Sequence, residues 1–289
     1  MASSEPFSES RRAKIAKALK NNGKGAPRVM AIVNCTPDSF HEESRAETFS
    51  KSIERCIQAL DSGAEWIDIG GESTRPGAIE VSLEDEIQRV VPTIKEIRKL
   101  KPDALISIDT RNVEVARQAI DSGADLINDV SGLRDKAMED LVVSKGCGVC
   151  IMHMLGEPRN MQNNPEYSDV VKEVSQSLLN TAERLVERGH PPELICLDPG
   201  IGFGKNLKHN LDLLRNPDSL RGDFNFSILW GVSRKSMFSE MLGRLETQDR
   251  LSGTLGVAAV AQYSGIDILR VHDVIEHIDL LKTISEINN

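Results

Sequence analysis

One supersecondary pattern recurs along this chain and restricts its fold more than any other feature. "DSGAEWIDIGG" at 61–71 has a near-copy sixty residues on, "DSGADLINDVSG" at 121–132, and a third version, "SGIDILRVHD", at 264–273. In each, a helix-like segment ends at Gly, which tolerates the left-handed conformation at a helix C-terminus. A short apolar run follows and ends in polar residues. Recurrence of one unit implies a fold built by repeating it. From Arg28 onward, short β-branched runs near 28–34, 64–70, 104–109, 125–130, 147–152, 194–198, 226–231 and 267–271 read as strands. Amphipathic segments between them, among them 45–62, 82–100, 112–122, 168–188 and 273–286, read as helices. Continuously apolar strands alternating with helices predict a parallel sheet covered by helices. Eight such units with no second-domain signature favour an α/β fold of the single (β/α)8 TIM-barrel kind over a doubly wound sheet. The barrel is expected over 28–289, preceded by a polar extension, 1–27, with a short helix in "SRRAKIAKALK". That extension could cover the barrel bottom, mediate association or be disordered.

Charge narrows the ligand classes. The chain carries a formal net charge of −9, made of +4 over residues 1–26 and −13 over the rest. So acidic a body disfavours nucleic acid, whose binding rests on many phosphate contacts. An anionic ligand must then be held by a few local cations. No apolar run reaches the roughly 18–20 residues of a membrane span, and the N-terminus lacks a signal-peptide core. Five cysteines, an odd number, read as reduced thiols in a cytoplasmic setting.

Functional side chains of such barrels gather at the C-terminal strand ends. Here strand 1 ends in Asn34 and strand 2 runs into "GESTRPG". Strand 3 ends in Asp109, strand 4 carries Asn128 and Asp129, and strand 5 runs into His153. Strand 6 ends in Asp198, strand 7 leads to "SRKS", and strand 8 carries Arg270 and His272. A single such residue could be a helix cap; eight on one rim point to a site.

Individual motifs divide between chemistry and structure. "GESTRPG" at 71–77 is a Gly-bracketed loop that could bind an anion through Thr74 and Arg75, or simply be a surface loop. "DPGIGFGKN" at 198–206 lacks the spacing and the Ser/Thr of a nucleotide phosphate loop; its glycines are expected to let backbone approach a flat ligand beside Asp198. "CGVC" at 147–150 has its cysteines three apart on a strand, facing opposite sides, so a metal or redox pair is not expected. His153 in "MHM" reads as a packed rim residue, and Glu84, Asp85 and Glu86 in "SLEDE" as a helix start and solvated face. Arg270 and His272 are two apart on a strand and share one face, a credible anion clamp.

Taken in order, "NCTPDSF", "ESTRPG", "SIDT", "INDVSG", "MHM", "DPGIGFGK", "SRKS" and "RVHD" resemble the motifs of the dihydropteroate synthases, in the pterin-binding barrel superfamily, from about residue 28 to the end. The resemblance implies condensation of 6-hydroxymethyl-7,8-dihydropterin diphosphate with 4-aminobenzoate, releasing pyrophosphate. It implies pterin contacts at Asp109, Asn128, Asp198 and Lys235, because carboxylates and an amide can match the ring's edge of N–H donors. Asn128 is then polar inside an apolar strand because it forms part of the pterin floor, while Asp129, on the other face, is structural. The resemblance further implies Mg2+ and diphosphate at Asn34, diphosphate contacts at Arg75, Arg270 and His272, and an aminobenzoate pocket of Phe40, Thr74, Pro76 and Ser233. Roles called catalytic for Asn34, Arg75, Lys235, Arg270 and His272 are electrostatic: they stabilise a leaving group, and a neutral arylamine needs no dedicated base. Members are commonly cytoplasmic homodimers. One departure stands out: where many members continue Ser-Asp-Gly-Gly after "TPDSF", this chain reads "HEESR" at 41–45, which should stiffen or redirect that loop. A methyltetrahydrofolate-dependent methyltransferase would share the barrel but needs no diphosphate clamp, and a silent pterin-binding paralogue should have lost ligand contacts that are all present here.

Overall fold

The computed structural model describes residues 6–21, 25–36, 42–72, 81–156, 161 and 165–288. Eight parallel strands pair in chain order into a closed barrel: β1 Arg28–Asn34, β2 Trp66–Gly70, β3 Leu105–Asp109, β4 Leu126–Asp129, β5 Gly148–Met152, β6 Ile195–Asp198, β7 Ser227–Trp230 and β8 Ile268–Val271. Every one lies within the range expected from its apolar run. Outside them run α2 Glu42–Asp61, α3 Leu83–Leu100, α4 Val113–Asp121, α5 Lys136–Lys145, α6 Val170–Glu187, α7 Leu207–Arg215, α8 Met237–Leu242, α9 Leu251–Tyr263 and α10 Val274–Ile287. The "EESR" of the loop departure is thus the first turn of α2.

Strand alternation sorts side chains into two cores. Ile67, Ile69, Ile106, Ile108, Val149 and Ile151 face the helices and join Val90, Ile94 and Val115 in one cluster. Met30, Trp66, Leu105, Leu126, Cys150, Cys196, Leu229 and Ile268 form a second, inside the barrel floor. Cys147 belongs to the outer core and Cys150 to the inner, so the "CGVC" thiols do diverge; all five cysteines are buried and unbridged.

The N-terminal extension covers the barrel bottom. Its helix α1, Glu9–Leu19, starts at Ser8, whose hydroxyl caps Arg11 N–H, and buries Ile15, Ala18 and Leu19 in the inner core. The indole N–H of Trp66 donates to the Ala18 carbonyl at 3.1 Å. Arg11 pairs with buried Asp125 at 2.8 Å, and Arg98 reaches the same carboxylate at 2.6 Å. Capping the open end removes apolar strand ends from water. Leu19, wholly buried, gives a direct test: Leu19→Ala should cost about 2–4 kcal/mol, read as a lower urea midpoint at unchanged slope, and an unmoved midpoint would mean that α1 merely rests on the barrel.

Candidate active site

Register assembles the other end. Asn34 pairs with Gly70, Gly70 with Asp109 and Asp109 with Asn128, so three functional side chains sit in one row across β1 to β4. One step deeper Ile32, Asp68 and Ser107 are aligned. Above them opens a cavity of about 400 Å3, lined in part by Asn34, Asp109, Phe203, Ser233, Lys235, Arg270 and His272.

A buried ion cluster forms the cavity floor. The Arg270 guanidinium donates through Nε to Asp68 Oδ2 and through Nη2 to Asp109 Oδ2, both at 2.6 Å. Asn128 Nδ2 donates to Asp68 Oδ2 at 3.1 Å, and Ser107 Oγ to Asp68 Oδ1 at 2.5 Å. Asp68 is 0% exposed and Asp109 9%. Two carboxylates therefore share one guanidinium. Burial pushes Asp109 up to about 7, with Asp68, Glu86 and Asp129 adding to the rise against the pull of Arg270. Arg270 is itself desolvated, but the two carboxylates outweigh that and hold its pKa above the ordinary arginine value. Asp109 Oδ1 is buried with no hydrogen-bond partner, a deficit of about 1–3 kcal/mol that a ligand donor would relieve.

Asp198 is buried on β6, accepts from Gly200 N–H at 2.7 Å and is raised by burial, with Lys235, Arg270 and Lys205 opposing. Lys235 Nζ lies 3.8 Å from the Phe203 ring centroid. Its neighbour Arg234, at φ 54°, forms a bidentate pair with Asp273. Two residues before Lys235, Ser233 Oγ accepts from His272 N–H at 3.1 Å and lies 2.9 Å from His272 Nδ1. Val130, Met152, Met154 and Met161 pack with Phe203 into an apolar wall, polarizable surface suited to a flat ring.

Asn34, Asp109, Ser233, Lys235, Arg270 and His272 line this cavity, with Asn128 beside it through Asp68 and Asp198 beside it next to Gly231; Phe40, Thr74, Arg75 and Pro76 lie outside the described residues. Asp129 is structural: it is fully buried and accepts from Ser131 N–H, Ser131 Oγ and Leu133 N–H. His153 is a packed rim residue, lowered to about 3 by burial and by Lys205, so Nδ1 accepts from Lys205 Nζ at 3.1 Å.

Two readings need correction. Glu86 is not on a solvated face: it is 4% exposed, accepts from Thr110 Oγ1 at 2.6 Å and is raised by burial. Gly200 and Gly204, at φ 66° and 62°, admit a neighbouring loop rather than a ligand, since a Cβ on them would lie 1.9 Å from the His153 carbonyl oxygen and 2.7 Å from that of Leu155. Lys205 then ties these loops, donating to the carbonyls of Gly200 at 3.1 Å and Phe203 at 3.0 Å. The residue that sequence reasoning missed is Asp68. Alternation in "WIDIG" places it inward, the same signal that singled out Asn128.

Comparison with known proteins agrees with this geometry. A family model described as pterin binding enzyme matches residues 30–272. The dihydropteroate synthase of Escherichia coli K12 is 40% identical over 258 residues, covering 89% of this chain and 90% of that one. That of Neisseria meningitidis serogroup C is 42% identical over 263 residues, covering 90% and 92%. The Yersinia pestis dihydropteroate synthase with a sulfonamide drug complex superimposes with a TM-score of 0.83 at 38% identity, covering 92% of this chain and 95% of that one. The Burkholderia cenocepacia enzyme complexed with 7,8-dihydropteroate gives 0.82 at 38% identity, covering 91% of each. The chain belongs to the pterin-binding enzyme family. Its activity is that of the dihydropteroate synthases, transferases of folate synthesis.

The raised pKa of Asp109 sets a pH dependence. A carboxylate accepts from N–H donors more strongly than a neutral carboxyl does, so pterin affinity is expected to decline as pH falls through about 7. The unliganded fold behaves oppositely, since it holds this proton more tightly than the unfolded chain and loses that stabilisation as pH rises toward 7. Calorimetric titration of a pterin across about two units either side of the pKa reads the first effect; an affinity flat over that range would count against Asp109 as an acceptor.

Proposed function

We propose that the cavity condenses 6-hydroxymethyl-7,8-dihydropterin diphosphate with 4-aminobenzoate through the following division of labour. Asp109, Asn128 and Asp198 accept from the N–H donors of the pterin edge, and the partnerless Asp109 Oδ1 is the observation that carries this reading. Lys235, beside Asp198 and Phe203, donates to a ring acceptor. Arg270 has two of its N–H groups committed to Asp68 and Asp109, so it contributes mainly floor and field, with its remaining donors directed to the diphosphate. His272, Asn34 and Arg75 complete the diphosphate contacts. When Ser233 donates to His272 Nδ1, the imidazole keeps its proton on Nε2 for a phosphate oxygen.

Asn34 ends β1 with an exposed side chain, and among the described residues no three His, Cys, Asp or Glu side chains gather as a metal cage. One amide oxygen fits Mg2+ arriving with the diphosphate, because this ion keeps its waters and phosphate ligands and needs few protein oxygens. Bound there, it would neutralise leaving-group charge. The pterin methylene carbon–oxygen bond breaks, its electrons leaving with pyrophosphate. The arylamine nitrogen bonds to the same carbon and releases one proton to solvent, so no resident base is required. Phe40, Thr74, Pro76 and Ser233 would line the aminobenzoate pocket.

The same reading carries a cytoplasmic homodimer. Five unbridged thiols suit a reducing compartment, and among the described residues no helix is long and apolar enough to cross a membrane. Val260 and Tyr263 on α9 and Ile275 on α10 offer exposed apolar surface for a second copy. The barrel is proposed to be one domain over 28–289, behind the extension of 1–27.

Pyrophosphate release with pterin diphosphate and magnesium should depend on 4-aminobenzoate and yield dihydropteroate. Lys235→Ala and Arg270→Ala should each lower kcat/KM by about a hundredfold or more, as losses of charged contacts do. Tight pterin binding with no release would instead favour the silent paralogue.

A further inference from the structure

Asp68 is the most connected group of the floor, yet it is not among the side chains that line the cavity. It is wholly buried on β2, and its two oxygens accept from Ser107, Asn128 and Arg270. A carboxylate only accepts, so the atom of Asn128 that faces it must be the amide nitrogen. An amide can otherwise turn over at little cost, exchanging donor for acceptor at the same position. With Nδ2 held by Asp68, Asn128 has Oδ1 to offer a ligand. We infer that Asp68 is a positioning residue that fixes the polarity of Asn128, and so makes the pocket select rings that present N–H donors rather than carbonyls at that edge.

The geometry supports this at both ends of Asp68. The oxygen that takes Asn128 Nδ2 at 3.1 Å also takes Arg270 Nε at 2.6 Å. Ser107 Oγ, at 2.5 Å, occupies the other oxygen and stops the carboxylate from rotating. Arg270 in turn bridges to Asp109, so the second acceptor of the floor is oriented through the same guanidinium. Asp68 thus sets an acceptor at Asn128 directly and one at Asp109 through Arg270. The inference rests on the pterin being held at this floor.

The test uses the full-length enzyme and two ligands, a pterin and its analogue with an oxo group in place of the 2-amino group. In the wild type the pterin should bind and the oxo analogue should be rejected. In Asp68→Asn the Asn128 amide can present either atom. Pterin KM should rise about tenfold with that of 4-aminobenzoate unchanged, and discrimination against the oxo analogue should fall by a similar factor, the scale of one exchanged hydrogen bond in a buried site. The acid limb of pterin binding should also move to lower pH. Asp109 faces Arg270 of β8, Asp68 of β2, Glu86 of α3 and Asp129 of β4, and removing the Asp68 charge leaves Arg270 to Asp109 alone. A merely structural defect would weaken affinity at every pH and leave both ratio and limb in place. Should Asp68→Asn fold poorly, the pair Asp68→Asn with Asn128→Asp restores a forced acceptor at position 128 and should recover the discrimination. Ser107→Ala should loosen it only slightly. A wild type that binds no pterin would overturn the site reading; a wild type that binds, beside an Asp68→Asn variant with unchanged ratio and acid limb, would overturn the positioning role alone.

Discussion

Arg270 carries the site because it is one cation among two buried carboxylates. Moving such charges out of water costs several kcal/mol apiece unless close partners replace the lost hydration. Here every oxygen of Asp68 is partnered, and Asp109 retains one that is not. The remaining deficit is therefore concentrated on Asp109, a residue that lines the cavity. Without Arg270, Asp109 would hold its proton more tightly still, and this part of the floor would offer a donor over a wider pH range. A floor of acceptors is therefore served by a cation set among them.

The low polarity around this cluster is made by distant parts of the chain. Below it the inner core of Met30, Trp66, Leu105, Leu126, Leu229 and Ile268 is continuous with the buried face of α1. Were the barrel bottom open, water would reach these side chains and weaken the electrostatics of the layer above. A basic helix suits that position, since Arg11 finds buried Asp125 and Lys14 reaches the Asp103 carbonyl at 2.6 Å. The charge contrast between extension and body is in this sense a docking device, and stability at one end of the barrel sustains chemistry at the other.

Legibility followed the range of each interaction. All eight strands were readable because a strand buried on both faces must be apolar throughout, and Asn128 stood out against that rule. Asp68 breaks the same rule inside the fully buried "WIDIG", but what makes it part of the site is partners far along the chain, Ser107, Asn128 and Arg270. Glu86 was misread because its sequence neighbours Ser82 and Asp85 do form an exposed cap, whereas its own partner, Thr110, lies twenty-four residues away. Gly200 and Gly204 showed that backbone approached closely, but not which backbone; the loop after β5 decides that, and nothing local encodes it. The α1 docking was open for the same reason, with partners from Trp66 to Ile268.

The distribution of cations explains how an acidic chain handles a diphosphate. Arg234 is tied to Asp273, Arg270 to Asp68 and Asp109, and Lys205 to loop carbonyls. Each thus builds structure before it can attract a ligand. Burial also lowers Lys205 to about 7 against the pull of Asp198, so near neutral pH it carries only part of a charge. Lys235 and His272 border the cavity directly, on walls reached through β7 and β8. Among the described residues, the cations of the cavity wall sit at the β7 and β8 ends and on the segments that follow them, while the deeper floor carries the carboxylates Asp68, Asp109 and Asp198. A molecule that is cationic or donor-rich at one end and anionic at the other has only one way to lie in such a field: ring down, phosphates up. This is the orientation that the proposed condensation requires.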